Sequence, residues 1–322
     1  MNKLYHFAAA FFCLATLSGC ETLVNDLDED KLPKVESKLT VESYISPQSE
    51  EITVRVTASQ PLFGPSTYEF VNIKNAKVTL SGPGAQIQIP YDDSTGTYTI
   101  AAKQFKIEAG RQYTLIVDDG KRVVRSTCTV PLKKVTFKSY SIDTVVGRLY
   151  AGDSSARVRI SWDDIKGETN YYSIRGYSLS QETYPGYIAE TGGSGPVRSN
   201  NKRYLEIERD YLVNDINLDG ITFNAPVFYV QLPRHYSFSY VNQDGKLDTA
   251  YSDPVFKEVY FEVLNLDENY YRFYRSVKDN RNDDNPFVEP TLIYTNIEGG
   301  LGCFGAYNVE SLSIKPMVTR TF

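Results

Sequence analysis

The sequence predicts a mainly β protein: an N-terminal immunoglobulin-like or transthyretin-like β-sandwich over residues 36–131, then a second β-rich domain over 132–322 carrying one helix near 267–280. Three observations point there. Apolar residues recur at every second position in run after run, and Pro and Gly punctuate the intervals. Aromatic residues suited to pleated surfaces are abundant, with 25 Tyr and 16 Phe against 2 Met and 1 Trp.

The alternation begins with Leu39-x-Val41-x-Ser43-x-Ile45 and Ile52-x-Val54-x-Val56. It continues through Val78-x-Leu80, Gly96-Thr97-Tyr98-x-Ile100, Tyr113-x-Leu115-x-Val117 and Val124 to Val130. The turn Asp118-Asp119-Gly120-Lys121 separates the last two runs and reads as a hairpin, because Gly accepts the positive φ such turns need. Short strands at this spacing describe a sandwich, and Pro131 closes it. The second part alternates at Val135-x-Phe137, Ala156-x-Val158-x-Ile160-x-Trp162, Tyr172-x-Ile174, Val227 to Leu232 and Val259-x-Phe261-x-Val263. Between these runs, Thr183 to Arg203 is rich in Gly, Ser and Asn and reads as a long loop. Asp267-Glu268-Asn269 caps an expected helix through Asp279, with Tyr270, Tyr271, Tyr274 and Val277 on the face that packs against a sheet.

The N-terminus reads as an export signal. Lys3 precedes the apolar run Phe7 to Ala15, which is too short to span a bilayer. It ends in Leu17-Ser18-Gly19-Cys20, which resembles a bacterial lipobox. Residues 1–19 are then a lipoprotein signal peptide, and Cys20 is the lipidated first residue of the mature chain, held by outer-membrane lipid; an ordinary secretory signal is the alternative. Residues 20–35, with Glu21, Asp26, Asp28, Glu29 and Asp30, read as an acidic tether. The expected location is the outer membrane, on either its external or its periplasmic face.

Composition removes several kinds of chemistry. A formal charge of −6 leaves no basic field for phosphate backbones, so nucleic acid is not an expected partner. With Cys13 and Cys20 in the signal and anchor, only Cys128 and Cys303 remain in the body, too far apart in sequence for a short metal motif. Cys128 is in phase with one strand face and reads as a buried thiol; a disulfide to Cys303 is the alternative that an oxidising compartment permits. His6 lies in the signal, which leaves His235 alone, in an apparent loop after a strand, unable to build a multi-His zinc site. A carboxylate-only hydrolase stays open; it needs two Asp or Glu side chains converging roughly 5–9.5 Å apart.

Three further patterns carry site expectations. Gly300-x-Gly302-x-x-Gly305 matches the dinucleotide-binding expression but lacks the strand-turn-helix setting, so it reads as close backbone approach at the last strand, and no cofactor is expected. Asp215-x-Asn217-x-Asp219-Gly220 resembles half a calcium loop, with Pro226 where the final carboxylate belongs; it reads as a metal-free turn, leaving Asp215, Asn217 and Asp219 as a weak metal candidate. Tyr184, Tyr187, Tyr236, Tyr240 and Tyr251 fall in expected loops, and the first four are candidate interface residues.

The order of segments resembles the Bacteroidota lipoproteins known as domain of unknown function 4249. The likeness rests on Cys20 with its acidic tether, Lys38-Leu-Thr-Val-Glu-Ser-Tyr-Ile45, Ala76 to Gly82 with Gly96-Thr-Tyr98, Gly110 to Leu115 and Cys128-Thr-Val-Pro131. The tail adds Pro286-Phe287-x-Glu289-Pro290 and Asn296 through Tyr307. Members are commonly encoded beside TonB-dependent outer-membrane receptors. The resemblance therefore implies a non-enzymatic accessory or binding subunit of an uptake system, with such a β-barrel receptor as partner and no established catalytic residues. It also implies an aliphatic or aromatic residue at the position of Cys303, against a disulfide. The alternative is a stand-alone glycan- or peptide-binding surface lipoprotein.

Overall fold

The computed structural model describes residues 36–60, 71–146, 154–189, 192–205, 211–280 and 292–315. The expected signal, Cys20 and tether lie outside the described residues, as does the segment Pro286 to Pro290. No helix among the described residues is long and apolar enough to cross a membrane.

The protein is mainly β. The first half holds β1 (Leu39–Ile45), β2 (Glu51–Ala58), β3 (Val71–Asn72), β4 (Lys77–Gly82), β5 (Ala85–Ile89), β6 (Tyr91–Asp92), β7 (Thr97–Ala101), β8 (Gln112–Asp118) and β9 (Val123–Thr129). Then follow β10 (Thr136–Val146), β11 (Ser154–Asp163), β12 (Tyr171–Ile188), β13 (Gly193–Tyr204), β14 (Leu212–Asn214), β15 (Thr222–Asn224) and β16 (Phe228–Gln231). The chain continues with β17 (Tyr236–Val241), β18 (Leu247–Ser252), β19 (Val255–Leu266), the helix α1 (Glu268–Asn280) and β20 (Leu301–Ile314). The period-two pattern acts as expected in the early strands. Ile52, Val54 and Val56 of β2 are buried while Glu51, Thr53 and Arg55 face solvent.

One large sheet runs β13-β12-β19-β20-β1-β2-β7-β6, with β14 beside β12 and β3 beside β2. Its seam is the parallel pairing of β1 with β20, from Thr40 opposite Leu301 to Ile45 opposite Ala306. A second sheet, β5-β4-β8-β9, shares a core with one part of it, built from Leu39, Val54, Leu80, Tyr113, Leu115 and their neighbours. The sheet β10-β11-β15, with β16 beside β11, shares the other core, in which Trp162 stacks on Phe223 with centroids 5.7 Å apart. Pro131 stands where the chain passes from the first core to the second. Residues 36–131 do not complete the first core alone, since Ile297, Phe304 and Ala306 belong to it. The described residues of 38–58 and 71–315 form one compact unit in which both cores lie on the shared sheet.

The glycine-rich tail acts by close approach. Gly302 has φ of 102°, and a Cβ there would stand 2.2 Å from the carbonyl oxygen of Val41. A Cβ on Gly305 would stand 2.8 Å from Cβ of Tyr270, so bare backbone here lets α1 settle on β20. The helix begins and ends within a residue of its expected limits, and Asp267 Oδ1 accepts the Tyr270 N–H at 2.9 Å as its cap.

Two expectations are corrected. Thr183 to Arg203 is not a loop: β12 and β13 pair continuously from Tyr177 opposite Tyr204 to Ile188 opposite Gly193. Tyr236, Tyr240 and Tyr251 also lie on strands, in the hairpin of β17 and β18. In both places the backbone ladder supplies the order while the side chains stay largely exposed, so the apolar periodicity that marks a half-buried strand is absent.

Candidate interaction surface and acidic cluster

β19 pairs with β12 only as far as Gln181 opposite Val255, so the rungs of the β12–β13 hairpin from Glu182 to Ile188 extend past it. The β17–β18 hairpin lies against that extension: the Tyr236 hydroxyl donates to the carbonyl of Thr183 at 3.1 Å. The four tyrosines singled out from sequence are thereby gathered on two adjoining hairpins. Tyr187 is 72% exposed, Tyr184 and Tyr236 are exposed to a lesser degree, and Tyr240 is half-buried with its hydroxyl donating to Asp248. Tyr251 and Leu247 are exposed on β18, as is Tyr204 at the end of β13. Sequence reasoning missed Leu247 and Tyr204, whose exposure depends on the strand pairing. Large aromatic surface at low entropic cost is what interfaces use.

At the root of these hairpins is a cavity of about 400 Å³ lined by Glu182, Arg203, Leu232, Arg234 and Tyr236 among others. Glu182 is held there by Ser180 at 2.7 Å and by Arg203 at 3.3 Å, so its charge is met. Among the described residues, Glu182 is the one carboxylate lining this cavity, and a second cavity of about 250 Å³ likewise has one, Glu108. Among the described residues, neither cavity brings two carboxylates together. His235 stays in the connection before β17, exposed, with Nδ1 3.2 Å from the Asp253 carboxylate.

The Asp215–Gly220 turn joins β14 to β15, and Asn217 holds its bend at φ of 65°. The structure brings Asp215 and Asp219 together with Asp164, the residue after β11, such that one carboxylate oxygen from each lies within 4.8 Å of the others. Asp164 had no sequence signal, since it is distant from the turn in the chain. Burial raises the pKa of the Asp215 carboxyl above its ordinary value, and the neighbouring charges of Asp164 and Asp219 add to the shift.

On the face of the large sheet away from the second core, α1 covers Leu264, Leu266, Tyr307 and Val309. Tyr271 stacks on Tyr171 with centroids 4.5 Å apart, and Tyr270 packs edge-on to Tyr307 at 6.1 Å. The expected aromatic stripe is thus packing, not a ligand platform. Cys128 and Cys303 are both free thiols and both buried. Burial pushes each thiol up, and the Asp267 carboxylate adds to the effect. Cys303 Sγ donates to the Asn269 carbonyl at 3.6 Å.

Fold and surface together define a β protein with exposed aromatic hairpins and a sheet that pairs β1 with β20. The chain belongs to the family described as Domain of unknown function (DUF4249), whose pattern matches residues 21–313. No curated protein matches it. A solved structure described as "Biofilm associated protein - B domain" is 10% identical over 87% of this chain and 85% of its own, with a TM-score of 0.14, too low to carry an argument.

Proposed function

We propose that this chain is a lipid-anchored outer-membrane protein, fixed through Cys20, that serves as a non-enzymatic accessory or binding subunit of a TonB-dependent uptake system. The observation that carries this reading is the pair of hairpins presenting Tyr184, Tyr187, Leu247 and Tyr251 to solvent, beyond the reach of β19. Exposed aromatic and aliphatic side chains on an ordered backbone suit docking against a partner, because the partner's contact does not also bear the cost of ordering the segment. The receptor as partner is what the family resemblance implies, and the exposed hairpins offer a surface for it. Purification of the native protein in mild detergent tests it: the chain should co-elute with a β-barrel receptor, and recovery as free monomer would count against the reading.

A stand-alone glycan- or peptide-binding role is the second reading, and the cavity of about 400 Å³ beside Arg203 and Tyr236 favours it. Its volume lies within the range of small-ligand sites, roughly 300–1,000 Å³. That role predicts ligand-dependent stabilisation of the purified chain with no receptor present.

A further inference from the structure

The acidic cluster holds a group that its protein neighbours leave unmet. Asp215 is 3% exposed, and its Oδ2 has no hydrogen-bond partner among the described residues. None of the three carboxylates is paired with a Lys or Arg among the described residues. A buried carboxylate facing two more acids is unfavourable unless a cation or a proton joins it.

We propose that Asp164, Asp215 and Asp219 together bind one calcium ion. All three offer hard carboxylate oxygens, with no His or Cys ligand beside them in the cluster. Calcium takes such oxygens at about 2.3–2.6 Å in flexible geometry, so oxygens within 4.8 Å of one another can share one ion. Asp164, just past the end of β11, replaces the carboxylate that the turn lacks at Pro226.

The outer contacts already orient the ligands. Asp164 Oδ1 accepts the Tyr172 hydroxyl at 2.6 Å and its Oδ2 accepts the Gly220 N–H at 2.7 Å. Asp219 Oδ1 accepts the Gly167 N–H at 2.7 Å. These bonds leave lone pairs for a metal and fix each carboxylate's direction. The ion would tie the turn between β14, in the large sheet, and β15, in the facing sheet, to the end of β11.

The test uses the purified mature chain stripped with a chelator. Calcium at a hundredfold excess over its Kd should raise the melting temperature by about 5 °C. Asp219→Asn, at an exposed position, should fold with an unchanged circular dichroism spectrum and lose that rise. Asp163→Asn should keep it, since Asp163 pairs with Lys138 and Thr222 instead. Terbium should give emission sensitised by the nearby Tyr172 and Trp162, and calcium should displace it. No calcium shift in the unaltered chain, or an equal shift in Asp219→Asn, would overturn the proposal, and an equal shift with magnesium would overturn the assignment to calcium.

Discussion

Tyr44 of β1 stacks on Tyr270 of α1, ring centroids 4.3 Å apart and planes inclined by 30°. The contact clamps the helix to the strand that forms the parallel seam with β20. The Tyr44 hydroxyl is buried without a hydrogen-bond partner among the described residues, and burial suppresses its ionisation. Tyr44→Phe should therefore be neutral or stabilise by up to about 1 kcal/mol, because it removes an unmet polar group. Tyr44→Ala should cost about 3 kcal/mol by removing the ring. Urea unfolding of both variants measures the difference.

Asp267 joins a cap to a buried charge. Its Oδ2 is buried without a partner, and burial raises its carboxyl from the usual value near 3.8 to about 7, against the opposing pull of the Tyr270 N–H. The folded state thus binds this proton more tightly than the unfolded chain. The group's stabilising contribution is full below about pH 4 and is lost as the pH rises to about 7. Asp267→Asn keeps a capping side chain and should flatten this part of the stability profile by an amount on the order of 2–4 kcal/mol. Denaturant titrations at pH 5 and pH 8 check it.

Gly302 tests the seam. A Cβ at 2.2 Å from the Val41 carbonyl cannot be absorbed by a rotamer change, so Gly302→Ala should cost more than about 3 kcal/mol or prevent folding. Gly84 also has positive φ, at 71°, but has open space around its Cβ position. Gly84→Ala should cost only about 1–2 kcal/mol, the strain of the backbone alone. Thermal unfolding of the two variants separates crowding from strain.

The two body thiols should be inert in the native state. Both are buried and both are held above the ordinary thiol range, so little thiolate forms and reagents lack access. A thiol-reactive dye should label Cys128 and Cys303 only after denaturant is added.

Much of this architecture was legible where one face of an element is buried and the other wet. β2 shows its apolar face at every second residue, and α1 announces itself through Asp267 and the spacing of Tyr270, Tyr271 and Tyr274. The reading of Gly302 and Gly305 as close-approach positions follows from the absence of a strand-turn-helix setting, and the structure shows the approach. The β12–β13 extension was hidden because its order comes from backbone pairing between residues such as Gly186 and Gly195, which have no side chain to contribute to a pattern. The acidic cluster was half legible. Asp215 and Asp219 share a turn, whereas Asp164 arrives through the pairing of β11 with β15, and no local sequence encodes that. The parallel seam escaped for the same reason, since it joins β1 and β20, which are far apart in sequence.

The exposed face of the two hairpins bears most directly on the proposed role. Native purification of the chain from membranes in mild detergent, run beside a Tyr187→Ala, Tyr251→Ala double variant, measures it. Both positions are more than 70% exposed, so the variant should fold and melt as the unaltered chain does. The account predicts co-elution of a β-barrel receptor with the unaltered chain and at least tenfold less of it with the variant. Equal recovery of the receptor with both chains, or none with either, would contradict it.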